Sequence, residues 1–350
     1  SHFLQAADAY ARALELNENN INAYMWSAAL FSEDLDIKND LEAFRLVEKA
    51  VDLDPLNRVA NGNYQLHLSD QGRDSEAQEN LKRLIKIDPE HNQYIQQLAA
   101  IHLMNDRWAE ASKLLVLIPR FVDRYSFFSF MILTKINAED RFEAFFDAVA
   151  IDNPLIDAMR ATEQGLFATP AELVAEAEIL LLQPDLEGQA RSIIYRLIEI
   201  GRFGLARALI ENMAPALKRD INELKYDRFN SLPDYMVCLY FAGEIERSHQ
   251  IAEMILEQNQ NRRRMGPRGK GIDDAISYLT LGDTEKAVGE IELAFDEGWR
   301  SYYSYRIDHQ PIFKPILHDK SIERVKNDID QYIQEQRPVV LKNMKDAAVF

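Results

Sequence analysis

The sequence predicts an all-α chain built as a solenoid of helical hairpins, and three observations carry that prediction. The phrase "VDLDPLN" at Val51–Asn57 returns as "IKIDPEH" at Ile85–His91, 34 residues later, with "LELNENN" at Leu14–Asn20 as a third copy. A fixed spacing of that size marks a stacked supersecondary unit. Before each phrase the apolar residues recur at helical spacing, and no stretch alternates apolar and polar residues with period two, so helix content should exceed about two thirds.

Ahead of Pro55 the stripe runs Ala43, Val47, Ala50, Val51, and ahead of Pro89 it runs Ala77, Leu81, Leu84, Ile85, which places one apolar stripe on one helix face. Upstream of each lies another apolar group, Tyr64, Leu66 and Leu68 in one case and Ile95, Leu98, Ala99 and Ile101 in the other. Polar turns such as "SDQGRD" and "MNDR" follow these groups, so each unit is a helical hairpin. The proline of "LDP" and "IDP" ends the second helix, because the residue before proline is biased out of the helical region and the ring blocks the next turn.

Ala6, Ala43, Ala77, Ala111, Ala206 and Ala287 sit near the starts of second helices, several of them three residues after a bulky side chain such as Phe3, Trp108 or Phe203. A small residue there lets two helices approach closely while the bulky neighbour fills the space beside it. In these respects the chain resembles an array of tetratricopeptide repeats (TPR), best matched in Leu14–Ile118, where "AFRLVEKAVDLDP" and "AQENLKRLIKIDP" keep the order of alanine, large apolar, small or apolar, and proline. The loop "SEDLDIKND" is about three residues longer than the repeat spacing.

Between Pro119 and Pro170 the phrase is lost, and "RYSFFSFMILTK" and "RFEAFFDAVAID" are apolar all round, as buried or doubly covered helices are. Hairpin turns return at "EIGRFGLARALI", "YFAGEIERSHQIAEMI" and "TLGDTEKAVGEIELAF", with Gly201, Gly243 and Gly282 closing the first helix of each at spacings of 42 and 39. The expected organisation is TPR-like repeats over 3–118, degenerate repeats with an aromatic core over 119–184, hairpins with longer loops over 185–298, and a C-terminal extension with a capping helix over 299–350. The chain opens "SHFLQAADAY", without a methionine and inside a repeat, so it is expected to be a piece of a longer protein. The bare stripe of Phe3, Ala6, Tyr10 and Ala13 would then pair two copies through that end.

Composition narrows the partners. The formal charge of −17 repels phosphate backbones and anionic membranes, so this region is not expected to bind nucleic acid. No window approaches 18 uninterrupted apolar residues, so no membrane span is expected. The single cysteine, Cys238, excludes an internal disulfide and a multi-cysteine metal site, and leaves a cytoplasmic or periplasmic location open.

Chemistry-bearing motifs are sparse. The seven histidines form no ligand spacing, and neither a nucleophile elbow nor a CxxC occurs, so no catalytic residue, metal site or cofactor is expected and the chain does not read as an enzyme. Cys238 and His249 could meet across one hairpin without two further ligands, and His309 and His318 read as loop or packing residues. The run "RRRMGPRGKG" places Arg262, Arg263, Arg264, Arg268 and Lys270 together; it reads as a solvated loop set against the chain's own acidic surface, with docking of an acidic partner as the alternative. It is no P-loop, because Lys270 is followed by glycine and no strand precedes it. Seven phenylalanines and a tyrosine between Phe121 and Phe146 read as core, with a small-ligand pocket as the alternative.

The TPR resemblance implies a binding scaffold whose first helices line a groove for an extended peptide or a helix of a partner protein. In the subset that clamps chaperone C-termini, the clamp sites would fall on Met25, Ala29, Asn63, Gln93 and Gln97, so the cations that subset uses are missing. The groove is expected instead at Asn22, Met25, Val59, Asn63, Leu66, Gln93 and Gln96, a neutral, partly apolar lining. The closing stretch "LAFDEGWRSYYSYRIDHQPIFKPILHDKSIERV" is similar to the segment after the last repeat of bacterial multidomain regulators, which implies the sensory or docking region of a regulator in signal transduction.

Overall fold

A computed structural model describes residues 2–33, 40–118, 123–148, 168–182, 187–221, 224, 232–260, 262–265, 270–300 and 307–347. These residues carry seventeen α-helices and several 3-10 turns, with no strand among them, as the sequence predicts. The chain divides into two compact units, Ser1–Ile101 and His102–Phe350.

The first unit contains α1 (His2–Leu16), α2 (Ile21–Glu33), α3 (Asp40–Leu53), α4 (Arg58–Asp70), α5 (Asp74–Ile87) and most of α6 (Asn92–Met104). From α1 to α5 each helix packs on the next, and α2 also touches α4, which is the stacking a repeat array requires. The recurring phrase does two jobs. The second helices end at Leu53 and Ile87, two residues before Pro55 and Pro89. In two of the three copies its last residue then caps the following helix: the Asn20 and Asn57 carboxamide oxygens accept from the backbone N–H of Ala23 (3.1 Å) and Ala60 (3.0 Å). In the third copy the position is His91, whose ring instead meets Tyr94 edge-on at 4.4 Å.

Ala43, Val47 and Ala50 of α3 meet Met25 and Ala28 of α2 and Ala60 of α4 in one buried cluster. Ala77, Leu81 and Leu84 of α5 are buried as their stripe predicts, while Ile85 is half-buried. Asn61–Gly62, a dipeptide that between two strands would signal a hairpin, lies inside α4. There Gly62 allows a close approach: a Cβ would stand 2.9 Å from the Gln97 amide nitrogen, which donates to the Gly62 carbonyl at 3.1 Å and would have to shift.

The second unit runs through α7 (Trp108–Leu114), a 3-10 turn at Leu115–Leu117, α8 (Asp123–Lys135), α9 (Phe142–Ala148), α10 (Pro170–Leu182), α11 (Glu187–Glu199), α12 (Phe203–Met213), α13 (Leu232–Phe241), α14 (Ile245–Asn259), α15 (Asp273–Thr280), α16 (Thr284–Asp296) and α17 (Lys320–Asp346). From α10 to α16 each helix packs on the next in hairpin order around one large apolar cluster. The expected turn glycines, Gly201, Gly243 and Gly282, all hold left-handed φ of 76° to 84°. Ala111, Ala206 and Ala287 are buried as close-approach residues, and Ala6 of α1 is half-buried.

Two placements go beyond what the repeat pattern contains. The division into units falls at Ile101/His102, inside the run 3–118 read as one set of repeats. The 27-residue α17, expected as a terminal cap, packs against α16 and also returns across the unit to α7 and the Leu115–Leu117 turn. A helix of 27 residues is about 40 Å long, enough to bridge elements that a hairpin helix could not.

Candidate functional site

The first helices of the leading repeats present the candidate surface. On α2 the residues Ala23, Met25, Ser27 and Ala28 are buried, which leaves Asn22 and Trp26, one helical turn apart, on the open stripe. On α4 the buried set is Ala60, Asn61, Gly62, Gln65, His67, Leu68 and Ser69, and the open stripe carries Val59, Asn63 and Leu66. On α6 Gln93 is exposed. Trp26, Val59 and Leu66 are 60%, 60% and 45% exposed, large apolar side chains held in water on two touching helices.

Two of the seven predicted groove residues do not face solvent. Met25 is 7% exposed and belongs to the cluster with Ala28, Val47 and Ala60, and Gln96 is buried. The correction is one of register: successive helical residues are about 100° apart, so an assignment shifted by one position exchanges Met25 for Trp26. Trp26 is the residue that sequence reasoning missed, and its signal was the four-residue step from Asn22.

The surface is electrically quiet. Arg58, at the start of α4, is neutralised by Asp88 in a two-nitrogen contact at 2.6 and 3.0 Å. Burial, with the Arg58 charge beside it, lowers the His91 imidazole below its ordinary value, so His91 is neutral near pH 7. Gln97, a clamp site by resemblance, spends its amide on the Gly62 carbonyl, and the Asn63 amide donates to the Val59 carbonyl at 3.2 Å.

The cationic run is placed differently from a solvated loop. The Arg264 side chain is only 1% exposed; its guanidinium bonds Glu297 (2.8 Å), Glu290 (2.9 Å) and the Gly271 carbonyl (2.6 Å). Lys270 pairs with the buried Asp274 at 2.5 Å, and Asp274 also accepts from Asn259. Arg263 donates to Asn105 and Arg262 to Asn259. Acidic groups of the chain receive Arg264 and Lys270, and they draw Arg264 into the interior because two carboxylates and a carbonyl offset its loss of water. Arg268 lies outside the described residues.

In the aromatic middle Phe128, Phe130, Phe142, Phe145 and Phe146 are buried, and the rings of Phe130, Phe142, Phe145 and Phe146 pack on one another with centroids 5.1 to 6.4 Å apart. These ring contacts join α8 to α9; Phe121 and the side chains of Tyr125 and Phe127 lie outside the described residues. Cys238 is a free thiol fully buried in α13, and burial pushes its pKa up strongly, which suppresses the reactive thiolate. Among the described residues no group of three or more His, Cys, Asp or Glu is arranged to hold a metal ion, and no helix is long and apolar enough to cross a membrane.

No protein-family model matches the sequence, and no curated protein matches it. Among solved structures, the crystal structure of the P58(IPK) TPR domain is similar at 14% identity over 96% of this chain and 95% of that one, with a TM-score of 0.24. So low a TM-score carries no implication for what this chain binds. The TPR-like reading of each unit rests on its own hairpins, caps and small-residue crossings.

Proposed function

We propose that this chain is a protein-interaction scaffold whose first unit holds a peptide or helix of a partner on the open face of α2, α4 and α6. The observation that carries the reading is the exposure of Trp26, Val59 and Leu66 beside Asn22, Asn63 and Gln93. Large apolar groups in water mark an interaction surface, and tryptophan is among the residues that contribute most at interfaces. Neutral amides around them can bond a partner's main chain without selecting charge. The fitting partner therefore has bulky apolar anchors and few charges, and capture should depend little on salt, because the Arg262–Lys270 cations described are engaged within the chain.

The wider reading is a non-enzymatic docking region of a bacterial regulator. The half-open stripe of Ala6, Tyr10 and Ala13 on α1 supports a contact between two copies through that helix. The test of the groove is peptide selection from a displayed library, followed by titration of the selected peptides against Trp26 fluorescence. Val59→Glu and Leu66→Glu should abolish binding with the circular dichroism spectrum unchanged. Binding that survives both substitutions, or that disappears only with helicity, would move the site elsewhere.

A further inference from the structure

The recurring phrase places an amide at the start of α2 and of α4, and a titratable ring at the start of α6. Asn20 and Asn57 cap the backbone N–H groups of Ala23 and Ala60, whereas at His91 only the main-chain carbonyl reaches the Tyr94 N–H, at 3.1 Å. The His91 ring serves the joint between α4 and α6 instead. Its Nε2 is buried and meets no hydrogen-bond partner among the described residues, and the Gln93 side chain hydrogen-bonds the ring, so that bond falls on Nδ1. The Gln93 amide nitrogen in turn lies against α4: a Cβ on Gly62 would stand 3.2 Å from it, beside the Gln97 amide that donates to the Gly62 carbonyl. His91 is thus linked through Gln93, a residue of the groove, to the helix that carries Val59, Asn63 and Leu66.

The groups that face the ring are Arg58 from α4, Asp88 at the end of α5 and Tyr94 of α6, whose ring it meets edge-on at 4.4 Å. Arg83 of α5 acts on Tyr94, and Glu90 is the exposed neighbour in the turn. Asp88 is already engaged, its Oδ2 taking two nitrogens of Arg58 at 2.6 and 3.0 Å. A neutral imidazole fits this setting, because one ring nitrogen carries the proton and the other stands bare. A second proton would create a buried N–H without an acceptor, and a cation beside Arg58 at the positive end of the α6 dipole. Burial, and then the Arg58 charge, lower the ring's pKa accordingly.

We propose that His91 is a proton switch on the α4–α6 face: uncharged it holds Gln93 against α4, and charged it leaves the joint towards solvent and takes Gln93 out of the groove lining. The control of peptide capture rests on the groove reading; the opening of the joint does not. A ring whose pKa is lowered by folding contributes stability that is complete above the ordinary histidine value of about 6.5. That contribution is lost as pH falls through this value towards the lowered one, so the joint loosens on acidification.

Histidine ring signals of the full chain, followed by NMR through a pH titration, give the first test. The His91 signal is the one that His91→Asn removes, asparagine being the residue at this position in the other two copies. It should titrate below about 6.5, and Arg58→Gln should move its midpoint up by removing the neighbouring charge and freeing Asp88. Hydrogen exchange gives the second: from about pH 7.5 to about pH 5.5, protection of α4 and α6 amides should fall at least about threefold in the parent chain and stay level in His91→Asn. A peptide captured at the higher pH should lose at least about threefold in affinity at the lower one in the parent chain alone. His91 titrating at or above the ordinary value, or an equal loss of protection in both chains, would overturn the proposal. An affinity that drops equally in both chains would overturn the control of the groove. If the ring and exchange results are as expected and neither chain captures a peptide, the groove reading fails and the joint stands.

Discussion

Met25 and Trp26 are neighbours in α2, and the same substitution at each should have opposite consequences. Met25→Glu places a carboxylate where the side chain is enclosed by Ala28, Val47, Ala50 and Ala60, at 7% exposure. Losing a buried methionine costs about 2–5 kcal/mol by comparison with truncations. Desolvating the acid adds further cost unless it takes up a proton. The total should be at least about 3 kcal/mol, a large share of the 5–15 kcal/mol by which folded domains are stable. Trp26→Glu, at 60% exposure, removes little buried contact and should stay within about 0.5 kcal/mol of the parent chain. Urea unfolding followed by circular dichroism measures both: Met25→Glu should lower the midpoint of the least stable transition and Trp26→Glu should not. Peptide binding should be lost in Trp26→Glu with the fold intact. Equal midpoints for the two variants would refute the register of α2, since they would mean that Met25 is open to solvent.

Four further outcomes are expected. Ala77→Leu, at a fully buried helix crossing, should destabilise by about 1–3 kcal/mol through overpacking, read as a lower urea midpoint. Arg264→Ala should cost about 1.5–3 kcal/mol by removing charged hydrogen bonds to Glu290 and Glu297, and Arg264→Lys should recover only part of it because a single ammonium cannot span both carboxylates. Burial alone would raise the Glu211 carboxyl, but hydrogen bonds from Arg207 (2.7 Å) and Tyr235 (3.0 Å) outweigh it and hold the carboxyl below the usual range. Its contribution is therefore present above the ordinary glutamate value and lost as pH falls through the lowered one, so Glu211→Gln should flatten the acid side of a plot of melting temperature against pH. Burial, with Asp106 nearby, pushes Tyr332 up to about 12, so its contribution holds below the ordinary tyrosine value of about 10 and is lost as pH rises towards 12; Tyr332→Phe should remove that alkaline loss in thermal melts.

The sequence by itself determined the local structure. Helix periodicity, the proline stops after Leu53 and Ile87, the Asn57 cap and the turn glycines are all set by interactions within a few residues, so they can be read in one dimension. The exposed stripe of α2 was legible to within one residue, because exposure on a helix depends on register and the pattern of α2 is apolar nearly all round, which blurs the boundary between Met25 and Trp26.

What only the tertiary structure decided is where long-range partners meet. Nothing near Arg264 in the chain announces that Glu290 and Glu297 will draw it inside, and nothing near Ser112 announces Asn343, 231 residues away. Burial of a charge depends on whether opposite charges and carbonyls converge on it, and a repeat unit can be covered by any helix that reaches it, next in order or not. Those outcomes follow from how the hairpins stack and how far α17 extends, quantities that no single segment of the sequence contains.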